Sequence, residues 1–132
     1  MPKPSDRPNI LLLLSDQHNP RGAGFAGNAL ARTPNLDALA DRGVRFDAAY
    51  CQAPLCVPSR ISMLTGLHPH RCSAWGNGSV LYPEHVTFAE HLGRHGYTTA
   101  LVGKMHLRQP FNMGGFQHRP YGDLVIGRFC FH

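Results

Sequence analysis

The sequence predicts an α/β domain in which a mostly parallel sheet is sandwiched by helices. Residues 9–15 and residues 97–103 are short apolar runs that polar residues follow, which is typical of buried parallel strands. Between them lie three segments with helix-capping residues and one more alternating segment, which gives the predicted order strand, helix, strand, helix, helix, strand. A chain of 132 residues, 42% of them hydrophobic, is large enough for one modest domain with its own core.

The first helix is predicted over residues 33–43. Thr33 is suited to the N-cap and Pro34 to the first helical position, while Gly43 stands just past the end. The positions expected to face inward are Leu36, Leu39 and Ala40.

Two further helices and one more strand complete the predicted elements. Residues 44–50 alternate between apolar and polar, as a half-buried strand does. A second helix is predicted to start just after Cys56 and to stop at Gly66. The third spans residues 87–96, with Thr87 as its cap. In the irregular stretch after residue 107, only residues 123–126 suggest another element.

Charge and hydropathy exclude two classes of partner. There are 13 Lys and Arg residues against 8 Asp and Glu, a formal net charge of +5. The arginines are scattered and aromatic residues are not interleaved with them, so nucleic-acid binding is not expected. The longest apolar run, residues 10–14, is far shorter than the roughly 20 residues of a membrane-spanning helix, so no membrane partner is expected.

The amino-terminal residues and the cysteines bear on the compartment. The first apolar run is too short for a signal peptide and lacks a small-residue cleavage site, so a cytoplasmic location is expected. The four cysteines include no C-x-x-C pair, and in a reducing compartment they are expected to be thiols.

Polar side chains suited to catalysis or ligand binding lie at the ends of the predicted elements. Because the carboxyl ends of parallel strands meet at one edge of a sheet, they are expected to lie near one another. They are Asp16 and Gln17 after the first strand, Cys56 and Arg60 at the start of the second helix, and Lys104 and His106 after the last strand.

These side chains suit the transfer of a sulfuryl or phosphoryl group. The start of a helix stabilises an anion at Cys56, and Arg60, one turn further on, is placed to fold back toward it. The carboxylate of Asp16 and the amide oxygen of Gln17 are hard ligands that suit calcium or magnesium better than zinc. An anion site, a nucleophile and a divalent cation together fit that reaction type.

Simpler interpretations stay open for each residue. Cys56 could be a buried thiol, Asp16 a helix cap or turn residue, and Lys104 a solvated surface residue, with His106 satisfied by the backbone. A tyrosine-phosphatase-like loop needs Cys-x5-Arg, and the residue at that offset from Cys56 is Ser62, which excludes it.

A zinc site is the other alternative that the cysteines and histidines offer. Its spacing is unusual for a structural zinc site, so it is not favoured. Its four ligands would be Cys51, Cys56, His68 and His70.

Two long motifs carry a resemblance to a known family. The run PLCVPSRISMLTG at residues 54–66 resembles the C-x-P-S-R…T-G signature of the formylglycine-dependent sulfatases, in the alkaline phosphatase superfamily. The run GYTTALVGKMH at residues 96–106 resembles the second signature of that family. The resemblance covers residues 8–123, and residues 103–106 and 115–119 further resemble the choline-sulfatase branch.

The resemblance implies how the chemistry would work. Cys56 would be converted to formylglycine by a separate formylglycine-generating enzyme, and the substrate would be a small-molecule sulfate ester. An aldehyde hydrate offers two hydroxyls on one carbon, so that one attacks sulfur and the other later expels sulfate. Neither a thiol nor a serine hydroxyl releases product in that way.

The resemblance also assigns roles around Cys56. The divalent cation, commonly Ca²⁺ with Mg²⁺ or Mn²⁺ as alternatives, would be bound by Asp16, Gln17 and the modified residue. Gln17 stands where many members have a second Asp. Arg60 would stabilise the deprotonated hydrate. Lys104 and His106 would hold sulfate oxygens or assist the leaving alcohol.

The chain departs from the family in length. The family's catalytic domain continues further and supplies more metal ligands, and nothing in residues 107–132 resembles that part. Residues 1–132 are therefore expected to form an amino-terminal portion with an incomplete sheet, inactive alone and prone to self-association through exposed apolar edges. The alternatives are a phosphonate monoester or phosphodiester hydrolase, or a non-catalytic remnant with a binding role.

Overall fold

The computed structural model describes residues 7–107, 113–122, 124–125 and 128–129. The chain divides into two compact units, Met1–Ala49 and Tyr50–His132. None of the helices in the described part of the chain has both the length and the apolar character that a bilayer span requires.

The first unit is built on one α-helix and two short 3₁₀ turns, Pro20–Gly22 and Gly24–Ala26. Helix α1 spans Pro34–Arg42 and begins at the predicted proline. The Thr33 hydroxyl does not cap α1 but donates to Asp37 Oδ1 at 2.9 Å and accepts from the Gly24 N–H at 2.8 Å. These bonds tie the second 3₁₀ turn to the helix.

The predicted first strand, residues 9–15, is wrong for this structure. The segment has no regular secondary structure, and the side chains of residues 10–14 are 54–81% exposed. A parallel strand of this kind is buried only when other elements cover both of its faces. The described residues of the first unit supply no such strand or helix layer for it.

Two other predictions for the first unit are also wrong. Leu36 and Leu39 are 44% and 54% exposed, and no residue of α1 is buried, so the predicted inward face packs against no core. Residues 44–50 form no strand; they are exposed and contain a turn at residues 47 and 48. Apolar periodicity marks a face that can be buried, but burial needs a partner layer.

The second unit carries the two helices whose bounds the sequence predicted best. Helix α2 spans Cys56–Thr65 and ends at Gly66, whose φ of +70° is the left-handed conformation expected of a C-terminal glycine. Helix α3 spans Phe88–Arg94, and the hydroxyl of its N-cap, Thr87, accepts from the Glu90 N–H at 3.1 Å.

In the part of the chain that the structure describes, four short strands follow α3. Strand β1, Ala100–Val102, pairs in parallel with β2, His118–Tyr121, while β3, Leu124–Val125, pairs antiparallel with β4, Arg128–Phe129. The strand predicted within residues 97–103 is confirmed, since β1 lies there. Its predicted burial is wrong, because Val102 is 68% exposed. Of the predicted element at residues 123–126, the two central residues form β3 and the other two lie outside the described residues.

The core of the second unit lies between α2 and the segment that follows β1. Helix α2 contributes three apolar side chains at helical spacing, and Met105 and Leu107 alternate into the same core. The buried members are Val57, Ile61, Leu64, Cys72, Ala74, Leu81, Met105 and Leu107.

Candidate active site at the start of helix α2

Cys56 is the first residue of α2, and its position is fixed from within the helix. Val57 and Ile61 are completely buried, so the first turn is anchored in the core. The Ser59 N–H donates to the Leu55 carbonyl at 3.0 Å, which closes that turn. Cys56 itself is only partly buried. The thiol therefore lies at the edge of a rigid helix start and not inside the core.

Asn77 supplies a cap from a distant part of the chain. The N-cap position of α2 is Leu55, whose side chain has no hydrogen-bond acceptor. The Asn77 Oδ1 atom instead accepts from the Val57 N–H at 3.1 Å. This bond satisfies a donor next to Cys56. Sequence reasoning missed Asn77 because a cap contributed from 20 residues away leaves no local spacing signal.

Lys104 lies beside Cys56, as the predicted elements suggested. Strand β1 ends at Val102, and Gly103, with φ +93°, turns the chain. From there exposed and buried residues alternate, so that Met105 enters the core while Lys104 stays outside it. The Lys104 Nζ atom donates to Cys56 Sγ at 3.6 Å. A cationic group therefore stands within contact distance of the proposed nucleophile.

Arg60 holds the segment that carries Lys104. Its side chain is only 7% exposed, and Nη1 donates to the Lys104 carbonyl at 2.6 Å. We expected Arg60 to fold back toward Cys56, and the structure shows this bond to the backbone of the neighbouring cation. Arg60 thus links α2 to the residues after β1 and brings a second positive charge to the site.

His106 lies two residues beyond Lys104 on the same alternating segment. It is partly buried, and its φ of +58° is in the left-handed region that residues other than glycine adopt rarely. Such a backbone is retained only where surrounding contacts determine it, and functional sites are enriched in it.

The predicted metal ligands Asp16 and Gln17 belong to the first unit. They form an exposed turn, in which Gln17 has φ +49°. A carboxylate and an amide oxygen on successive residues are hard ligands, so the pair fits a Ca²⁺ or Mg²⁺ ion. Cys56, the third predicted metal ligand, lies in the second unit.

Among the described residues no group of three or more His, Cys, Asp or Glu side chains could hold a metal ion. The zinc alternative with two cysteines and two histidines therefore gains no support within that part of the chain.

Comparison with known proteins relates the chain to a protein family. The family model described as Sulfatase matches residues 8–127. Human arylsulfatase D is 43% identical over 111 residues, and choline-sulfatase of Rhizobium meliloti (strain 1021) is 39% identical over 123 residues. These matches cover 76% and 93% of this chain but only 19% and 24% of the relatives.

Two solved structures share the fold. BT4656, solved in complex with its substrate D-glucosamine-2-N,6-O-disulfate, superposes with a TM-score of 0.80 at 37% identity, covering 86% of this chain and 23% of that one. The phosphonate monoester hydrolase of Agrobacterium radiobacter superposes with a TM-score of 0.77 at 28% identity, covering 88% and 26%.

These similarities confirm the predicted fold class, an α/β domain with an incomplete parallel sheet. In the second unit the parallel strands are β1 and β2. The chain spans about a fifth to a quarter of the length of the relatives it matches. It belongs to the sulfatase family.

Proposed function

We propose that this chain contributes part of the active site of a sulfuric ester hydrolase. In this enzyme Cys56, converted to formylglycine, is the residue that attacks sulfur. The observation that carries the proposal is the 3.6 Å approach of Lys104 Nζ to Cys56 Sγ at the start of α2. Membership of the sulfatase family gives that pair its chemical context. The segment Val57-Pro58-Ser59-Arg60 after Cys56 is the stretch that a formylglycine-generating enzyme would recognise.

The side chains of the second unit have distinct tasks in this proposal. A sulfate ester bound at Cys56 would place its oxygens next to Lys104, whose ammonium group stabilises the charge that develops on them. Arg60 keeps Lys104 in place through the bond to its carbonyl and adds positive charge. His106 is placed on the same segment and would donate a proton to the leaving alcohol.

Two groups complete the proposed chemistry. Formylglycine supplies a hydrated aldehyde whose second hydroxyl allows sulfate to be eliminated. A divalent cation, Ca²⁺ by expectation with Mg²⁺ or Mn²⁺ as alternatives, would be bound by the oxygen atoms of Asp16 and Gln17 and would supply the positive charge that offsets the charge of a sulfate group.

The share of its relatives' length that this chain spans indicates whether the chain can be active alone. Since it spans 19–24% of their length, we propose that it supplies only part of a complete site and does not turn over substrate alone. Turnover of an aryl sulfate by the 132 residues with Ca²⁺ present would overturn this part of the proposal.

A second candidate reaction has one specific observation in its favour. The similarity to the phosphonate monoester hydrolase, at a TM-score of 0.77, fits a hydrolase of phosphorus esters built on the same apparatus. Sulfate monoesters and phosphonate monoesters both carry one negative charge, so Lys104 and Arg60 would serve either. Comparing the two substrate classes in a longer protein that contains these residues would separate the candidates.

The decisive test is the chemical state of Cys56. The chain is co-expressed with a formylglycine-generating enzyme, and its peptides are analysed by mass spectrometry. We expect Cys56 to lose its sulfur and gain an aldehyde, while Cys51 and Cys72 keep their thiols as internal controls. An unmodified thiol at Cys56 under conditions in which the enzyme modifies a known substrate would overturn the proposal.

A further inference from the structure

Trp75 is the single tryptophan of the chain, and it is 72% exposed. Tryptophan is highly buried on average in folded proteins, so exposure of this extent is unusual. No hydrogen bond or ring contact among the described residues involves its side chain. The flat apolar surface of the indole is therefore open to a ligand.

The backbone on either side of Trp75 is fixed. The preceding residue, Ala74, is 1% exposed, and its N–H donates to the Pro69 carbonyl at 2.9 Å. The N–H of the following residue, Gly76, donates to Ser79 Oγ at 3.2 Å, and its carbonyl accepts from the Ser79 N–H at 3.0 Å. Binding of a ligand to the indole therefore requires little ordering of the loop, which lowers the entropic cost of binding.

The same loop is held against the start of α2. Asn77, two residues beyond Trp75, accepts from the Val57 N–H at 3.1 Å. Two residues of chain span at most about 7 Å, so Trp75 lies close to the first turn of the helix. The indole therefore borders the helix start at which Cys56 and Lys104 are in contact.

The surroundings of Trp75 favour an anionic group joined to a neutral, apolar body. Leu55, directly before Cys56, is 46% exposed, so a second apolar side chain adjoins the proposed nucleophile. Residues 48–83, which include both Cys56 and Trp75, contain no Asp or Glu. A ligand with a cationic body would find no carboxylate on this segment to offset its charge, whereas a neutral ring needs none.

We propose that Trp75 is a specificity-determining residue whose indole stacks on the ring of an aryl sulfate, while the sulfate group lies beside Cys56 and Lys104. This inference rests on the proposed function, which gives the position of the sulfate group. Offset stacking of two aromatic rings is favourable beyond the apolar area that it buries. Trp75 thereby selects sulfate esters of flat aromatic alcohols over those of small alkyl or cationic alcohols.

The test is an NMR titration of the complete, ¹⁵N-labelled 132-residue chain with three sulfate monoesters. Phenyl sulfate carries an aromatic ring, methyl sulfate carries none, and choline sulfate carries a cationic body. Because the chain has one tryptophan, its single indole N–H resonance reports contact with the ring directly. We expect phenyl sulfate to shift this resonance and to bind roughly threefold to tenfold more tightly than either other probe.

Four variants separate the ring contact from the sulfate contact. Trp75→Ala should remove the advantage of phenyl sulfate and leave the affinity for methyl sulfate unchanged, while Trp75→Phe, which keeps a ring, should retain most of that advantage. Lys104→Gln should weaken binding of all three probes. Phe46→Ala is the matched control: it removes an aromatic side chain of the first unit that is 77% exposed, and it should change no affinity.

The outcomes distinguish failure of this inference from failure of the proposed function. An indole resonance that phenyl sulfate does not shift, or a Trp75→Ala variant that keeps the advantage of phenyl sulfate, would overturn the role of Trp75. Loss of that advantage in Phe46→Ala would place the ring elsewhere and overturn it too. A Lys104→Gln variant that binds every probe as tightly as wild type would instead contradict the sulfate position in the proposed function. Circular dichroism checks that the variants fold, and Trp75→Phe decides should Trp75→Ala fail to do so.

Discussion

The Arg60 guanidinium and the Lys104 carbonyl are joined by a 2.6 Å hydrogen bond across 44 residues of sequence. Arg60 is 7% exposed, so its charge is buried against the backbone that carries the exposed Lys104 ammonium. The same segment sends Met105 into the core directly after Lys104. Stability of the second unit and placement of the cation beside Cys56 therefore depend on one buried side chain.

Replacing Arg60 by Gln is expected to lower the free energy of unfolding by about 1.5–3 kcal/mol, because the hydrogen bond from its charged guanidinium to the Lys104 carbonyl is lost. Urea denaturation measures this change. The matched control is Arg94→Gln, which breaks a surface ion pair whose Arg and Glu side chains are 61% and 37% exposed and is expected to cost less than about 1 kcal/mol. Equal losses in the two variants would show that the Arg60 bond does not stabilise the unit.

The remote cap on α2 gives a second prediction. Asn77→Ala removes the acceptor for the Val57 N–H and is expected to lower the free energy of unfolding by about 1 kcal/mol, as loss of an N-cap does. Asn77→Asp keeps an acceptor oxygen at that position and adds a negative charge near the helix start, so it should retain most of the stability. Chemical denaturation of the three proteins makes the comparison. An Asp variant as unstable as the Ala variant would count against capping by Asn77.

Two features determined by a few neighbouring residues, the end of α2 and the cap of α3, were predicted correctly from the sequence, whereas the predicted cap of α1 by Thr33 was wrong. Gly66 ends α2 with φ +70°, and the Thr87 hydroxyl caps α3 at 3.1 Å, because both signals act within one helical turn. Burial depends on which other elements are present. The apolar residues 10–14 and the leucines of α1 satisfy every local rule, yet they stay exposed because the described residues supply no layer to cover them.

In the candidate site, too, local features could be predicted and tertiary contacts could not. Lys104 follows β1, and Cys56 opens α2, so polar residues at element ends were enough to bring these two together in prediction. Asn77 escaped prediction since its bond to Val57 spans a loop whose course no short motif encodes. Arg60 was identified as a site residue, but its bond to a backbone carbonyl 44 residues away depends on tertiary structure alone.

Gly115, which lies next to the start of α3, leads to a third prediction. Gly115 has φ +86°, and a Cβ atom there would collide with Thr87 Oγ1 and approach the Glu90 backbone nitrogen to 3.0 Å. We expect Gly115→Ala to destabilise the chain by about 1–3 kcal/mol more than Gly66→Ala, because overpacking adds to backbone strain. Gly66 has φ +70° with nothing within 4 Å of such a Cβ, so it isolates the strain. Thermal unfolding of both variants provides the measurement, and equal shifts in Tm would show that the contact with Thr87 is relieved at no cost.

The exposed apolar run in the first unit gives the last prediction. No hydrogen bond between described residues involves the backbone of residues 10–14, so its N–H and C=O groups are available for pairing with another chain. Leu11 and Leu13 are 81% and 78% exposed. Replacing both by Lys places like charges along any strand pair that the run forms, so self-association of the 132-residue chain should weaken. Sedimentation velocity over a range of protein concentrations measures it. Leu30→Lys is the control, because Leu30 is 93% exposed but lies outside residues 10–14. If that control weakens association as much as the double variant, general charge repulsion and not pairing of residues 10–14 accounts for the effect.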